Sequence, residues 1–235
     1  MLKEFAEWFV KKIEPACYDL NGQKYSSQPL HVIPEPTADP LVVHNLTGLV
    51  DYLKSNYDDL NPVIVHVASP TEVNVYSTFN GNKNRDHFLQ AKAMLPSIPF
   101  GKFLDPEEFI ILLQSCFVAN DDRAQLLKVV GNIKEENVTT VGDDGVTQQV
   151  TAKTGVATVE NVIVPNPVRL KPYRTFVEIV QPESEFVFRM RSGPAAALFE
   201  ADGGAWKLQA IHAIRDYLIE QLSEEISVGQ VTIIA

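Results

Sequence analysis

Cysteine is nearly absent from this chain: Cys17 and Cys116 are the only two in 235 residues, far apart and with no CxxC or Cys/His spacing. That excludes a disulfide-stapled scaffold and a zinc ribbon. Cys116 falls inside the apolar run FIILLQSCFV, which predicts a buried, inert thiol. Long hydrophobic stretches are missing as well. No run approaches the roughly 20 residues of a membrane-spanning helix, and MLKEFAEWFVKKIE carries too many charges for a signal-peptide core. Together these predict a reduced, cytosolic protein with no membrane partner. Basic residues are the scarce charge: 20 Lys and Arg stand against 30 Asp and Glu, a net charge of −10. Such an excess disfavours non-specific adhesion to DNA, RNA or anionic lipid, so a nucleic-acid role would need a local basic patch.

Catalytic signatures are missing too. The five histidines, at 31, 44, 66, 87 and 212, show no HxH or HxxxH spacing. There is no GxSxG elbow, no dinucleotide-binding GxGxxG and no P-loop. No cofactor is indicated, and the balance weighs against an enzyme.

What is present is a succession of helical and strand patterns. Residues 2–14 place Leu2, Phe5, Phe9 and Ile13 on one stripe, an amphipathic helix stopped by Pro15. From 22 to 40, Pro29, Pro34, Pro36 and Pro40 punctuate short extended pieces, which predicts a stretch wrapping over a surface rather than a hairpin. NLTGLVDYLKSNY resumes helical spacing with Asn45 as N-cap, and PVIVHVAS and TEVNVYSTF read as paired strands. RDHFLQAKAML predicts a short helix ending at Pro96. LDPEEFIILLQSCFV has the clearest helix start, with Asp105 as N-cap, Pro106 at the first position and Glu107 and Glu108 at the positive end of the dipole. Its body is apolar almost all round, which predicts a central position. DDRAQLLKVVGNI fits a second helix or a turn into strand near Val129.

Beyond residue 133 the composition turns to Val, Thr and Gln, with strand propensity but few core-forming side chains. Gly142–Gly145 is a natural reversal, so a projecting β-hairpin arm is expected over 134–163, marginal alone and in need of another surface. SEFVFRMRS alternates Phe186, Phe188 and Met190 with Val187, Arg189 and Arg191, a half-buried strand. AAALFEA fits a further strand, and from Trp206 a helix carries Ala210, Ile211, Ile214, either Tyr217 or Leu218, and Leu222 inward. GQVTIIA must pair somewhere. The expected fold class is α+β: a mixed or antiparallel sheet with several packed helices and a projecting hairpin. It is read as a single domain over 1–235, with a helix-rich part (1–133), the arm (134–163) and a strand–helix C-terminal part (164–235).

Three candidate sites follow. FEADGGAW aligns Glu200 and Asp202 at a strand end with Gly203 and Gly204 before a helix. That arrangement suits either a cation or phosphate site or a tight turn in which Asp202 caps the helix over Trp206, and the turn is favoured because two carboxylates lack the further ligands of a hard cation. Arg169, Lys171 and Arg174 in VRLKPYR, with Arg189 and Arg191 in FVFRMR, form a basic patch if the segments are neighbours, unless Glu178, Glu183 and Glu185 neutralise it. The arm contributes Val138, Val141, Val146 and Val150 to a candidate interface. Asp143 and Asp144 join them as turn residues, their spacing matching no calcium loop.

NPVRLKPYRTFVEIVQPESEFVFRMR and ALFEADGGAWKLQAIHAIRDYL resemble the C-terminal portion of the YfdQ-like family of uncharacterised phage and prophage proteins. The resemblance covers about the last third of the chain. It implies a phage or prophage gene product working inside a bacterial host cell and carries no catalytic residues with it. Four functions are then weighed. The first is a non-enzymatic homo-oligomer whose partner is the chain itself. The second is an acidic inhibitor or decoy binding a host protein or nucleic-acid-handling factor. The third is a metal- or nucleotide-dependent enzyme using Glu200 and Asp202. Nucleic-acid binding through the five bases has no motif behind it and is disfavoured.

Overall fold

A computed structural model of the chain describes residues 2–13, 16–20, 23–27, 37–81, 83–131, 139–143, 148–154, 158–163, 166–191 and 195–235. The chain divides into two units, Met1–Ala38 and Asp39–Ala235.

In the first unit, helix α1 (Leu2–Ile13) precedes strands β1 (Cys17–Leu20) and β2 (Gln23–Ser26), which pair antiparallel with Tyr18 opposite Tyr25. β2 thus takes the start of the 22–40 stretch into a hairpin, while Pro29, Pro34 and Pro36, on which the expectation of wrapping segments rests, lie outside the described residues. The prolines all lie beyond β2, and Ser27 N–H to Ala16 O (2.9 Å) closes the ladder before them. Phe5, Trp8 and Phe9 are more than half exposed on one side of α1.

The second unit is built on a five-stranded mixed sheet. Its members are β3 (Leu41–Val43), β4 (Val63–Ser69), β5 (Glu72–Ser77), β6 (His87–Lys92) and, from the far end of the chain, β13 (Val231–Ile234); the spatial order is β13-β4-β5-β6-β3. The three middle strands run antiparallel, and the two edge strands are parallel to their neighbours. Helices α2 (Leu46–Ser55) and α5 (Trp206–Gln221) cover one face, bringing Leu46, Leu49, Ile214 and Leu218 onto Val65, Val75 and Leu89. As the sequence indicates, the Asn45 side chain caps α2 by accepting from Gly48 N–H at 2.7 Å.

The segment read as a helix, RDHFLQAKAML, forms β6. A six-residue element is too short to nucleate a helix by itself, and here ladder partners exist on both sides, β5 and β3, so tertiary pairing overrides local propensity. Leu89 and Ala91 then point into the core.

A second core lies under a three-stranded antiparallel sheet, β10 (Val168–Leu170), β11 (Ser184–Arg191) and β12 (Ala195–Glu200). Helices α3 (Pro106–Cys116) and α4 (Asp121–Gly131) pack on it, closing Phe109, Leu113, Phe117, Leu126, Phe186 and Phe188 into one cluster. The α3 start is as expected, Asp105 accepting from Glu108 N–H at 2.8 Å. The helix is not central, however: Ile111 is 55% exposed, because one sheet face and α4 cover only part of its circumference. Helix continues through Val129 to Gly131, which resolves that ambiguity.

Between the two domains of packing runs segment 171–183. Phe176 and Ile179 turn into the first core while Val177 and Val180 stay exposed. Buried Gln181 holds the turn: its Oε1 accepts from Arg174 N–H (3.0 Å) and Thr175 N–H (3.3 Å), and its Nε2 donates to Phe176 O (3.0 Å). The Glu178 carboxylate reaches α2, accepting from Leu46 N–H (2.7 Å) and Thr47 N–H (3.1 Å), an anion on the positive end of a helix dipole.

The arm region forms a third sheet, β7 (Thr139–Asp143), β8 (Gln148–Thr154) and β9 (Thr158–Ile163), in the antiparallel order β7-β8-β9. A third strand thus joins the expected hairpin. The short α6 (Ser223–Ser227) leads from α5 into β13. The observed class is α+β, with mixed and antiparallel sheets. No helix among the described residues is long and apolar enough to cross a membrane.

Candidate functional site

The FEADGGAW stretch lies at the junction of the two cores. β12 delivers Glu200 and, two residues later, Asp202; Gly203 (φ +62°) and Gly204 (φ +83°) then reverse the chain into α5 in a conformation that residues with a Cβ rarely adopt. Asp202 Oδ1 accepts from Gly204 N–H at 3.0 Å, and its Oδ2 accepts from the Ser184 hydroxyl at 2.7 Å and from Trp206 N–H at 3.4 Å. Asp202 thus braces the turn rather than capping α5 as expected: the helix starts after Ala205 with no side-chain cap, Trp206 N–H meets the carboxylate only at the long end of hydrogen-bond range, and Lys207 N–H donates to Gly204 O at 3.0 Å.

Arg174 completes the cluster. Only 6% exposed, it donates from Nη1 to Glu200 Oε1 (3.1 Å) and from Nη2 to the Ser184 hydroxyl, and its guanidinium stacks over the Trp206 ring at 3.9 Å. Desolvation drags the guanidinium down to about 10, opposed by Asp202 and Glu200, so it stays charged at neutral pH. Burial works to raise the Asp202 carboxyl, but the Ser184 hydroxyl, the two amides and Arg174 outweigh it and hold the group below the usual carboxylate range. The Asp202 carboxylate and Oε1 of Glu200 are engaged with this chain's own groups, and the arrangement joins β11, β12, α5 and segment 171–183. Among the described residues no group of three or more His, Cys, Asp or Glu is placed to hold a metal ion.

The five bases grouped in the sequence do not form one stripe, because Arg174 points inward. Arg169, directly opposite Glu185 in the ladder, pairs with it at 3.3 Å, and Lys171 pairs with Glu183 at 3.6 Å. Arg189 is half-buried opposite Ala197; Arg191, opposite Ala195, lies 4.4 Å over the Phe103 ring. Glu178 is used elsewhere, on α2. Local alternation correctly assigns Arg189 and Arg191 to the face away from the core, but nothing local marks Arg174 as different from Arg169. The signal that distinguishes them is Asp202, distant in sequence. Of the arm residues, Val141 and Asp143 lie on β7 and Val150 on β8, opposite Thr140 and Val162. Val138, Asp144 and Val146 lie outside the described residues.

A second perturbed group sits on α2. Tyr52 donates to Asp58 Oδ2 at 2.8 Å, and burial, then the Asp58 hydrogen bond and charge, push its phenol up to about 12. A folded value above the unfolded one of about 10 favours folding below pH ~10 and loses that contribution as pH rises through about 12. Near-ultraviolet absorbance titration should show a late tyrosine step that Tyr52→Phe removes; an unchanged curve would refute the assignment.

No family model, curated protein or solved structure matches this chain.

Proposed function

We propose that the chain is a non-enzymatic phage- or prophage-derived protein that works by associating with copies of itself. The phage origin rests on the likeness of residues 166–191 and 197–218 alone. The observation that carries self-association is the sheet of β7, β8 and β9, whose strands pair with one another and belong to none of the other sheets. Its sequence, 139–163, holds no Leu, Met or aromatic residue. Three strands of this composition gain little from burying their own faces, and such a sheet requires a further layer for stability. A second copy supplies one with a matching surface.

The test is the native mass of the full chain at micromolar concentration, by light scattering or native mass spectrometry. A multiple of the chain mass is expected, and replacing 138–164 by a short Gly/Ser linker should lower it. A wild-type monomer would overturn the proposal.

A further inference from the structure

Deepening the self-association reading and resting on it, we propose that two copies join edge to edge through β13, in antiparallel pairing about a twofold axis at Thr232, making one continuous sheet of ten strands from two of five.

The two edges of the five-stranded sheet are unlike. β3 has three residues, is led in by Asp39-Pro40 and is followed by His44, whose Nδ1 lies 3.1 Å from Lys92 O. Proline, charge and shortness are the means by which edges avoid pairing. β13, four residues long, lacks the first two: Gly229–Ala235, GQVTIIA, contains no charged side chain and no proline, and Thr232 and Ile234 are exposed. It is also tied to its neighbours. Gln230 Nε2 donates to Asn56 Oδ1 (3.2 Å) at the end of α2, and the strand runs in register with β4 from Val231 opposite Val63 to Ile234 opposite His66.

The hydrogen-bond pattern shows which groups are left over. Val63 N–H donates to Gln230 O at 2.8 Å. In a parallel ladder this places Gln230, Thr232 and Ile234 on the bonded side and turns the N–H and C=O of Val231 and Ile233 away from β4. No other strand among the described residues pairs on that side. With the axis at Thr232, Val231 faces Ile233 of the second copy and Ile233 faces its Val231, so all four outward groups of each strand find partners within the strands themselves.

Charge does not oppose a second copy at this edge. The chain carries −10 overall, so two copies repel except where each presents an uncharged surface. β13 is such a place, and so is the outer sheet face beside it, where Ile64 and His66 stand next to Thr232 and Ile234. A basic partner protein would be drawn to the acidic surface instead.

Two full-length variants at one exposed position test this. Thr232→Lys opposes two ammonium groups at the axis without disturbing the core; the native mass should fall to half, with circular dichroism and melting temperature unchanged. Thr232→Cys, on a Cys17→Ser background to remove the exposed thiol, should form an intermolecular disulfide on mild oxidation while keeping the wild-type mass. A close, non-hydrogen-bonded antiparallel pair brings Cα atoms to about 4.5 Å, within disulfide reach. An oligomeric wild type whose mass Thr232→Lys leaves unchanged, or whose Thr232→Cys form does not cross-link, overturns the β13 contact and leaves self-association standing; a monomeric wild type overturns both.

Discussion

Arg174→Ala is expected to destabilise the protein by about 3–5 kcal/mol, the usual result of removing one partner from a buried charge cluster, and to lower the melting temperature by roughly 10 °C for a chain of this size. Three losses combine. The Ser184 hydroxyl and Glu200 lose a donor, Trp206 loses its stacked cation, and a cavity opens where β11, β12 and α5 meet. Arg174→Lys should recover only part of the loss, because an ammonium cannot reach Ser184 and Glu200 in a planar fork while covering the indole. The acid limb carries a second signature. Asp202 has a folded pKa below its ordinary value, so its contribution is present above the unfolded value of about 3.9 and disappears as pH falls through the folded one. Without Arg174 the folded value rises, and less stability is lost across that window. Chemical denaturation at neutral pH and at pH ~3 checks both; a neutral-pH loss below about 1 kcal/mol would show the cluster to be incidental.

Phe176→Ala should cost about 3–5 kcal/mol, the range for truncating a fully buried aromatic. Phe176 is 1% exposed, and together with Ile179 it inserts segment 171–183 into the core between α2 and α5. Val177 and Val180, 73% and 81% exposed, give the contrast: alanine at either should change the denaturation midpoint by less than about 0.5 kcal/mol. Equal losses at 176 and 177 would mean that the segment buries both faces, contrary to the turn held by Gln181.

The elements legible in the sequence are those whose determinants lie within a few residues. Asp105-Pro106 caps α3, Asn45 caps α2, and the alternation of Phe186, Phe188 and Met190 turns one face of β11 inward, all as local chemistry requires. The stripe from Ala210 to Leu222 is buried as its spacing indicates. Even the Gly203-Gly204 turn was visible, because Asp, Gly and Gly at a strand end have a local reason to reverse the chain.

What depended on distant neighbours could not be read in this way. RDHFLQAKAML has acceptable helical spacing, but β3 and β5 offer it two ladders, and β3 is more than forty residues upstream. The apolar belt of α3 looks central until the single sheet face it meets leaves Ile111 in solvent. Glu178, one acid among three beside a run of bases, becomes a helix cap for residues 131 and 132 positions away.

By itself, then, the sequence determined the helix caps, the strand faces, the acidic balance and the α+β class, since hydrogen bonds to nearby amides and the periods of helix and strand are set by adjacent residues. Only the tertiary structure decided that Arg174 is buried while Arg169 is not, and that β13 ends its sheet, with no further strand among the described residues on its other side. A side chain's desolvation and a strand's second partner both depend on which remote segments the fold brings alongside.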